Sequence, residues 1–99
     1  MNANWVFQDS PDTACFTTRE VLVREKPILL VIHEAEDDCW HFLCGTNGDE
    51  MNVRVISLRE LLQTNPDVAE LADLPLGWKA TRDTPTDNWC RSACDADQD

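Results

Sequence analysis

The chain has 99 residues, 19 of them acidic and 8 basic, for a formal charge of −11 at neutral pH; that length suits one domain and leaves no room for a second core. Such an excess of carboxylate opposes phosphate backbones and anionic membranes, and the longest apolar run, residues 28–32, is far below the ~18 residues needed to cross a bilayer. A hydrophobic share of 42% with four tryptophans is enough for a core that needs neither metal nor disulfide staples.

The opening residues carry no cationic stretch followed by an apolar one, so no signal peptide is expected and cytoplasmic residence follows. Residues 5–7 form a short apolar stretch that Asp9, Ser10, Pro11 and Asp12 break with turn chemistry. Residues 14–17 predict a strand. Thr17 and Glu20 then fit a capping box, which predicts a helix of one to two turns that Lys26-Pro27 stops. Residues 28–34 are the clearest strand. Ala35, Glu36, Asp37 and Asp38 form a hairpin turn, and residues 39–44 return. With that four-residue turn, Glu34 faces Cys39, His33 faces Trp40 and Val31 faces Phe42. Period-two alternation places Leu29, Val31, His33, Trp40, Phe42 and Cys44 on one face, and Leu30, Ile32, Glu34, Cys39, His41 and Leu43 on the other.

Residues 45–48 signal a loop, extended by Asp49 and Glu50. Residues 52–57 predict another strand. Ser57 and Glu60 repeat the capping box and start a short helix with Leu58, Leu61 and Leu62 on one stripe. Asn65-Pro66 predicts a second helix, with asparagine as cap and proline at the first position. Residues 76–82 form a last strand, residues 84–88 are linker-like, and the composition turns acidic toward the end. The expectation is an α+β fold: a single domain over residues 1–89 with a mainly antiparallel sheet, a central hairpin and two short helices packed on one face, then an acidic tail over 90–99.

Little in the chain points to catalysis. Five cysteines, Cys15, Cys39, Cys44, Cys90 and Cys94, cannot all pair within one chain and fit a reducing compartment. Thiolate and imidazole are zinc's preferred ligands, so Cys39, His41 and Cys44, joined by His33 or by Cys90 and Cys94, form the sharpest metal candidate. Strand geometry opposes it, because Cys39 and His41 share one face while His33 and Cys44 share the other. Acidic neighbours disfavour a reactive thiolate at Cys90 or Cys94. None of Ser10, Ser57 and Ser92 sits in a nucleophile elbow, and neither a phosphate-binding loop nor a dinucleotide fingerprint occurs. No catalytic residue, metal or cofactor is therefore expected.

Two stretches carry a resemblance. Residues 40–45, Trp-His-Phe-Leu-Cys-Gly, and residues 73–82, Asp-Leu-Pro-Leu-Gly-Trp-Lys-Ala-Thr-Arg, together with residues 14–18 and 31–34, resemble a set of small acidic bacterial proteins of unknown function. The segment through Trp40, Phe42 and Gly45 is also similar to the Imm33-type immunity domain, which implies neutralisation of toxins in bacterial polymorphic toxin systems. Within the late motif, Gly77 suits a positive φ or a close approach, Trp40 and Trp78 suit the core, and Asp73 is placed to cap or to pair with Arg82.

These features together predict a non-catalytic protein-binding domain facing a basic protein surface, with an immunity or accessory role implied by the resemblance. Glu34, Glu36, Asp37, Asp38, Asp49 and Glu50 are the expected electrostatic contacts, and Trp5 and Trp89 the expected exposed anchors. The rival is a small metal-binding or hydrolytic enzyme using His33, His41 and the cysteines.

Overall fold

The computed structural model describes residues 5–44 and 53–94; the expected contacts Asp49 and Glu50, the loop before them and residues 95–99 lie outside that range. In chain order the elements are β1 (Ala14–Thr18), α1 (Arg19–Leu22), β2 (Leu30–His33), β3 (Trp40–Leu43), β4 (Val53–Ser57), α2 (Leu58–Thr64), a 3₁₀ helix (Pro66–Leu71), β5 (Trp78–Thr81) and β6 (Cys90–Ala93). The six strands form one sheet in the order β4-β1-β3-β2-β5-β6. This is the α+β architecture that the sequence predicts, with one difference: β1 and β3 run parallel, so the sheet is mixed.

The hairpin has the expected register. His33 pairs with Trp40 and Val31 with Phe42, and the Glu34 amide donates to the Cys39 carbonyl at 2.9 Å. One row of side chains runs Thr17, Phe42, Val31 and Ala80 across four strands, and every one of these is buried. Val21 of α1, Leu58 and Leu61 of α2, and Val68 and Leu71 of the 3₁₀ helix join Cys15, Val31, Trp40, Phe42 and Ala80 in a single core. Each fully buried aliphatic or aromatic side chain there contributes roughly 1.5–3 kcal/mol.

The helix ends show which local signals prevailed. Ser57 caps α2 as expected, its hydroxyl accepting from the Glu60 amide at 3.1 Å. The cap of α1 is Thr18 rather than Thr17. Thr17 lies inside β1, where its buried hydroxyl donates to the Phe42 carbonyl at 2.7 Å, so strand pairing takes the group the capping box needed. Asn65 does not cap the segment after it. Its side-chain amide turns back to donate to Thr64 Oγ1 at 2.9 Å, and Pro66 begins a 3₁₀ turn instead of an α-helix.

Two further expectations are corrected. Cys90–Ala93 is not tail but strand, paired antiparallel with β5, so the ordered domain runs past residue 89. Asp73 pairs with Arg91 at 2.8 Å, whereas Arg82 pairs with Asp67 at 2.6 Å. Arg82 is buried and also donates from Nε to the Ile28 carbonyl at 3.0 Å and from a terminal nitrogen to the Pro85 carbonyl at 3.0 Å. Its guanidinium lies 4.1 Å from the centre of the Trp89 ring. One side chain thereby ties the start of β2, the 3₁₀ helix and the segment leading to β6.

Gly77 supplies the positive φ expected of it, +81°. Its amide donates to the His33 carbonyl at 2.7 Å and its carbonyl accepts from the Cys94 amide at 2.7 Å, so this turn joins the ends of β2 and β6.

Candidate functional site

The hairpin turn and the residues around it form the most chemically loaded part of the molecule. Residues 35–38 close the turn with the Asp38 amide donating to the Glu34 carbonyl at 3.1 Å, and Asp38 takes the left-handed conformation at φ +59°. Four-residue hairpin loops commonly end in such a residue, and aspartate tolerates the conformation better than most. Glu36 and Asp37 are exposed. The Asp37 carboxylate accepts from the Cys39 amide at 3.3 Å, which stiffens the turn.

Two histidines flank the tip on opposite faces of the sheet. His41 stacks on Phe16 with ring centres 4.8 Å apart and lies 3.9 Å from Glu34. On the other face, His33 lies flat on the Trp40 indole, ring centres 3.9 Å apart and planes 14° from parallel. Its Nδ1 faces the Leu74 carbonyl at 2.8 Å. A carbonyl only accepts, so Nδ1 carries the proton and donates. Its Nε2 faces Asp38 Oδ1 at 2.9 Å. A neutral ring with its proton on Nδ1 turns a lone pair toward that carboxylate, and only a proton or another cation between them makes the contact favourable.

Asp9 completes the group. Its carboxylate accepts from the Trp40 indole N–H at 2.9 Å while its carbonyl accepts from the Trp5 indole N–H at 2.7 Å. The Trp40 indole thus holds the loop before β1 against the start of β3, and the Trp5 indole closes that loop on itself. Ligand atoms of Asp9, His33 and Asp38 lie within 4.8 Å of one another. They open into a cleft of about 320 Å³ that Trp40, Asp73 and Leu74 also line. Arg91 beside Asp73 holds that carboxyl below its ordinary value of 3.8 through a hydrogen bond and its charge, which favours its ionised form on this side of the cleft.

The cysteine–histidine set weighed as a metal candidate does not converge among the described residues. His33 and His41 point to opposite faces, and Cys15 is fully buried, its thiol pushed up to about 12 by desolvation with the Glu60 charge adding to the effect. Cys39 is also raised, by its partial burial and then by Asp37. Neither is poised as a thiolate nucleophile or ligand. The two expected anchors are half-buried: Trp5 packs on Phe7 with ring centres 5.8 Å apart, and Trp89 packs beneath Arg82 against the core. Glu34, Glu36, Asp37 and Asp38 stand together at the tip, as the four-residue turn requires.

Asp9 is the participant that sequence reasoning missed. Its neighbours Ser10 and Pro11 mark it as a turn former, and nothing local says that the turn folds back onto Trp40. The buried indole N–H of Trp40, which needs an acceptor, was the only signal available.

Among the described residues no helix is long and apolar enough to cross a membrane. Compared with known proteins, the chain matches no family model, no curated protein and no solved structure.

Proposed function

We propose that this chain is a non-catalytic binding domain that engages a basic protein surface through the acidic end of its central hairpin. One observation carries the reading. Four carboxylates, Glu34, Glu36, Asp37 and Asp38, project from a turn whose register is set by the pairing of β2 with β3. Where Glu34 and Asp38 have ionic partners, these are imidazoles at 3.9 Å and 2.9 Å, which neutralise them only when protonated. The net charge of −11 adds long-range attraction for a cationic partner, which acts mainly on the association rate. Under the resemblance to the Imm33-type immunity domain that partner is a toxin, and a toxin reading frame adjacent to this one would support the role.

The test compares two charge-matched variants, E34Q/E36Q/D37N at the tip and E60Q/E70Q/D83N elsewhere on the surface, with an oligoarginine peptide as probe. The tip variant should associate at least threefold more slowly than the other at low salt, with the gap closing as salt shortens the Debye length to about 3 Å near 1 M. Equal rates for the two variants overturn the reading.

A further inference from the structure

We infer that Asp9, His33 and Asp38 form a binding site for one divalent first-row transition-metal ion at the mouth of the cleft. The site goes beyond the binding role proposed above: it shares Asp38 with the acidic tip but rests on Asp9 and His33, which that role does not use.

His33 is held by two contacts and is mostly buried: its ring stacks on Trp40 at 3.9 Å, Nδ1 donates to the Leu74 carbonyl at 2.8 Å, and its side chain is only 12% exposed. A backbone carbonyl on the far nitrogen is the support metal-bound imidazoles characteristically have, because it fixes the tautomer and aims the other lone pair. That lone pair faces Asp38, and Asp9 completes the group within 4.8 Å. Three acceptor groups converge there, Asp9 already taking the Trp40 indole N–H, and one cation between them satisfies the lone pairs that remain.

The spacing suits an ion. The 2.9 Å between His33 Nε2 and Asp38 Oδ1 subtends about 90° at an ion ~2.1 Å from each, the angle between neighbouring ligands of an octahedral shell such as that of Mn²⁺. The three donor atoms lie within 4.8 Å of one another, slightly wider than the ~4.2 Å that opposite ligands of one ion reach. Asp38, with 62% of its side chain exposed, is free to close the difference by rotation. Asp9 is braced by the Trp40 indole N–H at 2.9 Å, which leaves lone pairs on the carboxylate for a metal. One nitrogen and two carboxylate oxygens form a mixed donor set, suited to Mn²⁺ or Zn²⁺ rather than to Ca²⁺, which takes an all-oxygen shell of six to eight ligands. Three protein donors leave coordination positions open toward the cleft of about 320 Å³.

The experiment titrates the chelator-treated full chain with Mn²⁺, the ion least drawn to the free cysteines, and follows paramagnetic broadening of amide and indole signals. Broadening is expected first at the Trp40 indole N–H and at the Leu74 and Gly77 amides, with one equivalent of Zn²⁺ reversing it. D9N, which preserves an acceptor for the indole, and D38N, which tolerates the left-handed turn, should each weaken Mn²⁺ binding at least tenfold. H41Q and E36Q/D37N should bind as the unaltered chain does. Broadening centred on Glu36 and Asp37, or undiminished binding by a folded D9N or D38N, overturns the site. Because E36Q/D37N spares the metal donors and D9N spares the exposed tip, failure of the site and failure of the partner-binding role are read separately.

Discussion

Replacing Arg82 with alanine is the sharpest test of what holds this fold together. The side chain is 5% exposed, and its removal breaks four contacts, of which the one to the carbonyl of exposed Pro85 is readily replaced by water. The Ile28 carbonyl, on a residue 1% exposed, loses its Nε donor, which costs about 1–3 kcal/mol for a buried acceptor left unpaired. The guanidinium at 4.1 Å from the Trp89 ring centre contributes about 0.5–2 kcal/mol. The ion pair with Asp67 is discounted to about 1 kcal/mol, because the Asp67 side chain is 46% exposed and rehydrates readily. Relief of guanidinium desolvation offsets part of the sum, leaving about 4 kcal/mol, a large share of the ~5–15 kcal/mol a domain of this size has. With an unfolding entropy near 0.2 kcal/mol/K for about 100 residues, the melting temperature should fall by about 20 °C. Circular dichroism in the far ultraviolet, in heat and in urea, measures it without relying on Trp89 fluorescence. R82K, which keeps the charge but cannot reach three partners, should fall between, and D67N should lose no more than about 1 kcal/mol. If R82A melts within about 5 °C of the unaltered chain, or if D67N is as damaging as R82A, the three-way tie is not what stabilises this corner.

G77A should lose about 1–2 kcal/mol in urea denaturation, because φ +81° strains any residue with a Cβ, although the added carbon would sit at 3.4 Å from the Ala35 Cβ without a clash; an unchanged midpoint contradicts the strain. Cys15 ties stability to alkaline pH: with the folded thiol pushed up to about 12 from 9.0, its contribution is intact below pH 9 and is lost at up to about 1.4 kcal/mol per pH unit as pH rises toward 12. The chain has no tyrosine to obscure this window, so C15A should show a shallower slope of unfolding free energy between pH 8.5 and 10.5, and parallel slopes refute it. For Asp73 the folded carboxyl is depressed by Arg91, so its stabilising effect is present above the ordinary carboxylate range and is lost as pH falls through the folded value. R91Q should move the Asp73 titration upward by carbon-detected NMR, and an unmoved titration removes Arg91 as the cause. S57A should cost about 1 kcal/mol through loss of the cap on α2, checked by the same denaturation.

The hairpin, the places of the first five strands to within about two residues, and the cap of α2 were legible because each depends on residues close in the chain. A four-residue turn between alternating strands permits one register that keeps Val31, Trp40 and Phe42 on the same face, and a slip by one would expose them. The failures have the same origin in reverse. Thr17 and Thr18 offer the same hydroxyl to the start of α1, and only the parallel pairing of β1 with β3 decides that Thr17 is spent on the Phe42 carbonyl. Cys90–Ala93 looked like tail because its side chains are small or polar, and it is a strand because the edge of β5 supplies backbone partners.

Composition and local pattern therefore determined the fold class, the acidic character and the turn that gathers Glu34, Glu36, Asp37 and Asp38. Only the tertiary structure decided that Asp9 meets His33, that Arg82 chooses Asp67 over Asp73, and that a cleft opens beside the tip. Periodicity records which face a side chain takes, but contacts between Asp9 and Trp40, 31 residues apart, depend on strand order. That order is settled by burying one shared core, a sum over the whole chain that no local window contains.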